Sequence, residues 1–300
     1  MKVSAEQQRK VIRSARAADH AMTAVLYGAG IIAVGLLAAL TLHILYQGFS
    51  GFYPDLLSAG ENGILDQLFN TIYLVFLSLL VSVPIGIGAG IYLAEYAKPG
   101  RMLSLIRISI ESLSSLPSIV VGLFGYLVFI LMTGMKWNLM AGALSVSILS
   151  LPLITTETEN ALRGLPPGYK EGSLALGATH WTTIVRVMVP AAFPQILTGI
   201  IMAAGRGFGE AAALLYTAGQ STRINWSQWN LASPACPLNP FRPGETLALH
   251  IWVMRTEGSL NPNATEIAAF SSAVLVLLAL VFSLVTRSIA SSYARRRNGE

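Results

Sequence analysis

The chain is 300 residues long, 53% hydrophobic and only 12% charged, with 27 glycines, a single cysteine and a formal net charge of +5. Charged residues make up about 25% of a typical soluble domain, so too few polar side chains are present to coat this much apolar material, which argues against a soluble enzyme, a disordered chain and a fibrous repeat. Cys236 alone excludes a disulfide framework or a cysteine-based zinc cluster within one chain.

Asp, Glu, Lys and Arg are absent from six long windows, at 20–54, 67–94, 112–135, 137–156, 187–205 and 267–286. A bilayer core takes roughly 20 helical residues, so each window holds a candidate spanning helix. The expected spans are 22–46, 68–94, 112–133, 138–160, 191–218 and 267–290, an all-α polytopic membrane protein of six transmembrane helices. The first follows five basic residues, Lys2, Arg9, Lys10, Arg13 and Arg16, but its apolar run exceeds the roughly 7–15 residues of a signal sequence, so it reads as a retained helix.

Six spans place both termini on one side. The basic 1–21 segment, the 95–111 loop, the 161–190 loop and the basic 291–300 tail, with Arg287 at the end of the last span, gather fifteen of the 20 Lys and Arg. The opposite face has Lys136, Arg223, Arg242 and Arg255. The positive-inside rule then makes both termini and the 161–190 loop cytoplasmic, and the 219–262 loop external. The basic excess is accounted for by topology and anionic headgroups of the lipid bilayer, with no nucleic-acid partner. Pro84, Gly86, Gly88, Gly90, Pro117, Gly122, Gly125 and Pro152 lie inside the spans, which suits helices packed closely on one another.

The 161–190 stretch has the punctuation of two short helices. Pro166 and Pro167 stop the preceding span, Glu171 sits in a first turn, where the helix dipole favours an acid, and Gly177 ends that helix; a second runs from near Thr179 to Pro190. Gly172, Ser173, Ala175 and Ala178 leave a small-residue surface able to enter a groove; the plainer alternative is a connecting loop. Glu171-Gly172-Ser173, with Gly177 six and Pro190 nineteen residues after Glu171, resembles the EAA loop of type I ABC-importer membrane subunits, although Gly172 and Ser173 replace the two alanines. In that family the loop docks in a groove of the ATPase subunit. The resemblance gives Glu171, Gly172, Ser173, Ala175, Gly177 and Pro190 an ATPase-coupling role.

Next, Arg206 and Glu210 interrupt the fifth span. Four residues apart on one helix, they share a face, and charge inside a bilayer costs about 2.5–3.5 kcal/mol on insertion scales, so both should face a protein or aqueous interior. Either they neutralise each other, or they line an anion path in which the guanidinium offers donors to phosphate-like oxygens. Gly205, Gly207 and Gly209 would let a substrate or backbone approach. In the 219–262 segment, the run Leu247–Met254 is too short to span and reads as an interfacial or protein-facing element; the lone His250 reads as packed or solvated rather than as a metal ligand.

The strings Ile85–Tyr96, Leu116–Gly125, Ala175–Thr179 and Gly205–Ala212 are similar to the phosphate-specific (Pst) permease subunits of ABC importers, with Arg206 and Glu210 on that family's Arg-then-Glu pattern and no proline after Glu210 where a family member often has one. The resemblance implies a bacterial inner-membrane location, a second related permease subunit, two ATPase subunits that bind ATP-Mg, and a periplasmic phosphate-binding protein. No lysine follows a glycine, so the chain has no P-loop of its own. No catalytic residue, metal site or cofactor of its own is assigned. Two alternatives stand beside this reading: an ion-coupled secondary anion carrier in which Arg206 and Glu210 relay protons, and a permease for another oxyanion. A non-transporting scaffold explains neither the loop nor the buried charges.

Overall fold

The computed structural model describes residues 5–60, 63–221, 224–257 and 261–298, without the side chains of 5–14, 17 and 293–298. Lys2 and Arg223 therefore lie outside the described residues, as do the side chains of Arg9, Lys10, Arg13 and Arg295–Arg297 of the charge count. Among the described residues the protein is helical, with no strand.

Helix α1 (Ala5–Ser50) is followed by α2 (Leu65–Ile91), which continues through a widened turn, Tyr92–Tyr96, closed by the Ala97 N–H on the Tyr92 carbonyl. Helix α3 (Arg101–Ser115) meets α4 (Ser118–Gly125, extended by Tyr126–Leu131) at an angle of 101°. The expected third span, 112–133, is thus not one helix. Leu116, preceding Pro117, is extended at φ −66° and ψ 133°, as the clash of a proline ring with its neighbour requires. The crossing portion has 8 plus 6 residues, about 21 Å at 1.5 Å each, and α3 lies nearly perpendicular to it.

Helix α5 (Leu139–Arg163) begins at Asn138, whose side chain accepts the Ala141 N–H. This is the central helix: 67% of its apolar window is buried, against 0% for α1. The glycines of α2 set its approach. A Cβ on Gly86 would lie 2.7 Å from Ile154, and one on Gly90 2.5 Å from Thr158, whereas Gly88 faces open space. Close packing is therefore the role of the first two and not of the third. Gly122 on α4 meets the Ala213 backbone just as closely.

After α6 (Pro167–Ala175), Thr179 caps α7 (His180–Thr183) by accepting the Thr182 N–H. The expected stop at Pro190 does not occur. A widened turn, Ile184–Met188, passes directly into α8 (Val189–Phe208), so one helix runs from His180 to Phe208. In that turn the Val189 N–H bonds to Ile184, five residues back, which accommodates Pro190, whose missing N–H could not serve a regular turn. The expected fifth span, 191–218, is instead broken at Gly209–Ala211 before α9 (Ala212–Thr217). Helix α10 (Leu247–Thr256) buries Leu247, Ala248, Leu249 and His250, so the first half of the short apolar run faces protein, while Trp252 is exposed. Helix α11 (Ala264–Asn298) closes on α1, where Phe270 packs against Phe49 and Phe52 and Gly48 abuts Ala269 and Ala273.

Candidate functional site

The break between α8 and α9 separates the two charges that helical spacing had joined. Helix α8 ends at Phe208, leaving Arg206 in its last turn and Glu210 beyond it. No ion pair links them among the described residues. Each charge instead sits at its own helix end. Glu210 is buried and its Oε1 accepts the Ala213 N–H at 3.0 Å in the first turn of α9, where the dipole favours an anion. Arg206 lies at a C-terminus, where the dipole favours a cation; it is exposed and its Nη1 donates to the Leu149 carbonyl at 3.4 Å. A guanidinium has five N–H donors, so most of its capacity is available. Gly205 beside it faces open space, while Gly207 packs toward Val75 and Val146.

At the end of the bundle where α2, α5 and α6 meet, the geometry assembles a cluster that sequence spacing did not reveal. Glu95, with a side chain only 7% exposed, accepts from Lys170 Nζ at 2.6 Å and lies 2.9 Å from His180 Nε2. The Tyr96 and His180 rings are in contact. Beside it, Glu159 pairs with Arg107 of α3 and, at 3.0 Å, with Arg163, which also donates to the Leu93 carbonyl. The partners of Glu95 are 75 and 85 residues away; the only local hint was that Glu95 closes a charge-free window.

Helix α6 starts at Pro167, so Glu171 occupies its second turn rather than its first, exposed to solvent. Gly172 and Ala175 are exposed, and Ser173 Oγ is 2.9 Å from Thr183 Oγ1. Gly177, at φ +83°, ends the helix: its N–H bonds to Leu174 and that of Ala178 to Ser173, the left-handed stop that glycine favours. Pro190 lies inside the continuous α7–α8 helix, two residues past the widened turn. The α6 surface is not made of small residues alone, because Leu176 is 91% exposed and Tyr169, Leu174 and Trp181 are exposed with it.

At the opposite end, the 224–246 loop is pinned by Arg242, only 1% exposed, which donates to Asn70 Oδ1 at 2.6 Å and to the carbonyls of Cys236, Pro237 and Pro243. Burial lowers the Arg242 pKa from its ordinary value, partly offset by Tyr73, Asp66 and Cys236. His250 is packed, its Nδ1 2.9 Å from Glu245 Oε2.

Residues 86–299 match the family described as "Binding-protein-dependent transport system inner membrane component". The chain belongs to this family. It is 50% identical over 230 residues to "Probable ABC transporter permease protein YqgI" of Bacillus subtilis (strain 168), covering 76% of this chain and 78% of that protein. It is 33% identical, over 76% and 75% of the two chains, to "Phosphate transport system permease protein PstA" of Xylella fastidiosa (strain 9a5c). Among solved structures, a bacterial alginate ABC transporter in complex with an alginate-bound periplasmic protein superposes with a TM-score of 0.64 at 15% identity, over 91% of this chain and 94% of that one. This permease subunit of an ABC importer is not itself an enzyme, and membership removes the secondary-carrier and scaffold readings.

Proposed function

We propose that this permease forms half of the path of an ATP-driven importer for inorganic phosphate or a closely related oxyanion. The observation that carries the reading is Arg206: a guanidinium exposed beside an open glycine at the break of a spanning helix, and not neutralised by Glu210, whose carboxylate holds the start of α9. The similarity to phosphate permeases, at 33% identity, supports the choice of anion. The exposed α6 surface, with Glu171, Gly172, Ala175 and the bulky Leu176, is the contact for a separate ATPase subunit that binds ATP-Mg. Glu95 sets its position through Lys170 and His180. A second permease subunit and an extracytoplasmic binding protein complete the machine.

The basic side chains argue for cytoplasmic termini in a bacterial inner membrane. Arg107, Arg163 and Lys170 gather at the α6 end, while Arg242 lies at the other. The test is radiolabelled phosphate uptake by the reconstituted complex. Arg206→Gln removes the charge and lowers uptake by roughly tenfold to a hundredfold, the loss of a charge-assisted hydrogen bond or two, while the complex still assembles. Unchanged uptake would leave Arg206 with a structural role only.

A further inference from the structure

A cavity of about 650 Å³ opens at the end opposite α6, beside the C-terminus of α9. Its walls include Trp137, Tyr216, Gln220, Ser221, Trp252 and Glu257. Trp137 is 52% and Trp252 39% exposed, so two indoles present uncovered apolar surface at the mouth of the permease. Among the described residues Glu257 is the one acidic or basic side chain in the lining; it is exposed and makes no ion pair with any of them. Lys136, beside Trp137 in sequence, and Arg255, two residues before Glu257, do not line the cavity, and Arg223, two residues after Ser221, lies outside the described residues.

Aromatic faces carry negative quadrupole potential and attract cations, Trp most strongly. With a carboxylate added and no compensating base among the described lining residues, such a cavity favours a cation over an anion. Its volume leaves room for the head and stem of a long side chain. From this geometry we infer that the cavity receives an arginine or lysine side chain of the extracytoplasmic binding protein, clamped between Trp137 and Trp252 and paired with Glu257. The inference rests on the proposed orientation, which turns this end outward. It also explains how an acidic group can sit at the entrance of an anion path: docking neutralises it.

The test uses the complete complex in nanodiscs, with binding-protein affinity and phosphate uptake measured in parallel. Glu257→Lys is expected to weaken docking at least tenfold, and Glu257→Gln to weaken it less and flatten its salt dependence. Glu257 is exposed, so neither change threatens folding; Trp252→Phe, which keeps a ring, should preserve most of the affinity and Trp252→Ala should not. Native docking by Glu257→Lys would overturn the inference, as would saturable quenching of tryptophan fluorescence by N-acetylarginine amide that leaves docking unaffected, which marks a site for free small cations. Absence of phosphate uptake by the native complex would instead count against the proposed function.

Discussion

Replacing Glu95 by alanine tests whether α6 is held in place by one buried carboxylate. The side chain is 7% exposed and accepts from Lys170 and His180, which are 39% and 38% exposed. A hydrogen bond to a charged group contributes about 1.5–3 kcal/mol when desolvated, but partners this wet are screened, and about 1 kcal/mol each is the realistic figure. Losing both amounts to about 2 kcal/mol, or roughly a 30-fold shift toward the detached state. Helix α6 has 9 residues, too few to persist alone in water, so detachment and unfolding coincide. Hydrogen–deuterium exchange of amides 169–178 in the nanodisc-embedded complex should therefore quicken about 30-fold, with about half that free energy lost in Glu95→Gln, which keeps an acceptor. Exchange in α6 identical to that of the native protein in Glu95→Ala would refute the reasoning, since another contact would then be positioning the helix.

Glu171→Lys reverses the exposed charge on α6 and should lower uptake about tenfold, some 1.4 kcal/mol of coupling, with ATP hydrolysis continuing; phosphate-stimulated hydrolysis still matched to uptake would remove the coupling role. Gly90→Val forces a Cβ to within 2.5 Å of Thr158 and should destabilise the α2–α5 contact by about 1–3 kcal/mol, seen as a lower melting temperature, whereas Gly88→Ala, with open space beside it, should not. Arg242→Met removes the donor to the carbonyls of Cys236, Pro237 and Pro243 and should cost about 3 kcal/mol or more, measured by thermal unfolding in detergent.

The absence of charge located α2, α5 and α11 well, because in those helices hydrophobicity and backbone continuity coincide. It misplaced the third and fifth spans because a window that counts charges carries no information about where the backbone turns. Proline was no guide either: Pro84, Pro152 and Pro194 lie inside intact helices, whereas Pro117 marks a 101° bend. Arg206 and Glu210 stood out because they interrupt an otherwise charge-free span, but their relation was misread, since four-residue spacing joins two side chains only while the helix continues. The Glu95 and Glu159 clusters were invisible for the opposite reason. Most of their partners are brought together by packing across tens of residues, where no periodic signal exists.

Helix α1 has none of its apolar window buried within this chain, and its packing is against α11. Of the described helices, α1 is made before the others and its partner α11 after them. Through synthesis of the intervening 200 or so residues, Phe49 and Phe52 must wait without the Phe270 ring that they pack against. A chain stalled ahead of Phe270 would therefore lack both the partner of α1 and the α11 side chains, Leu275, Leu278 and Phe282, that pack on Val75, Ala204 and Phe208.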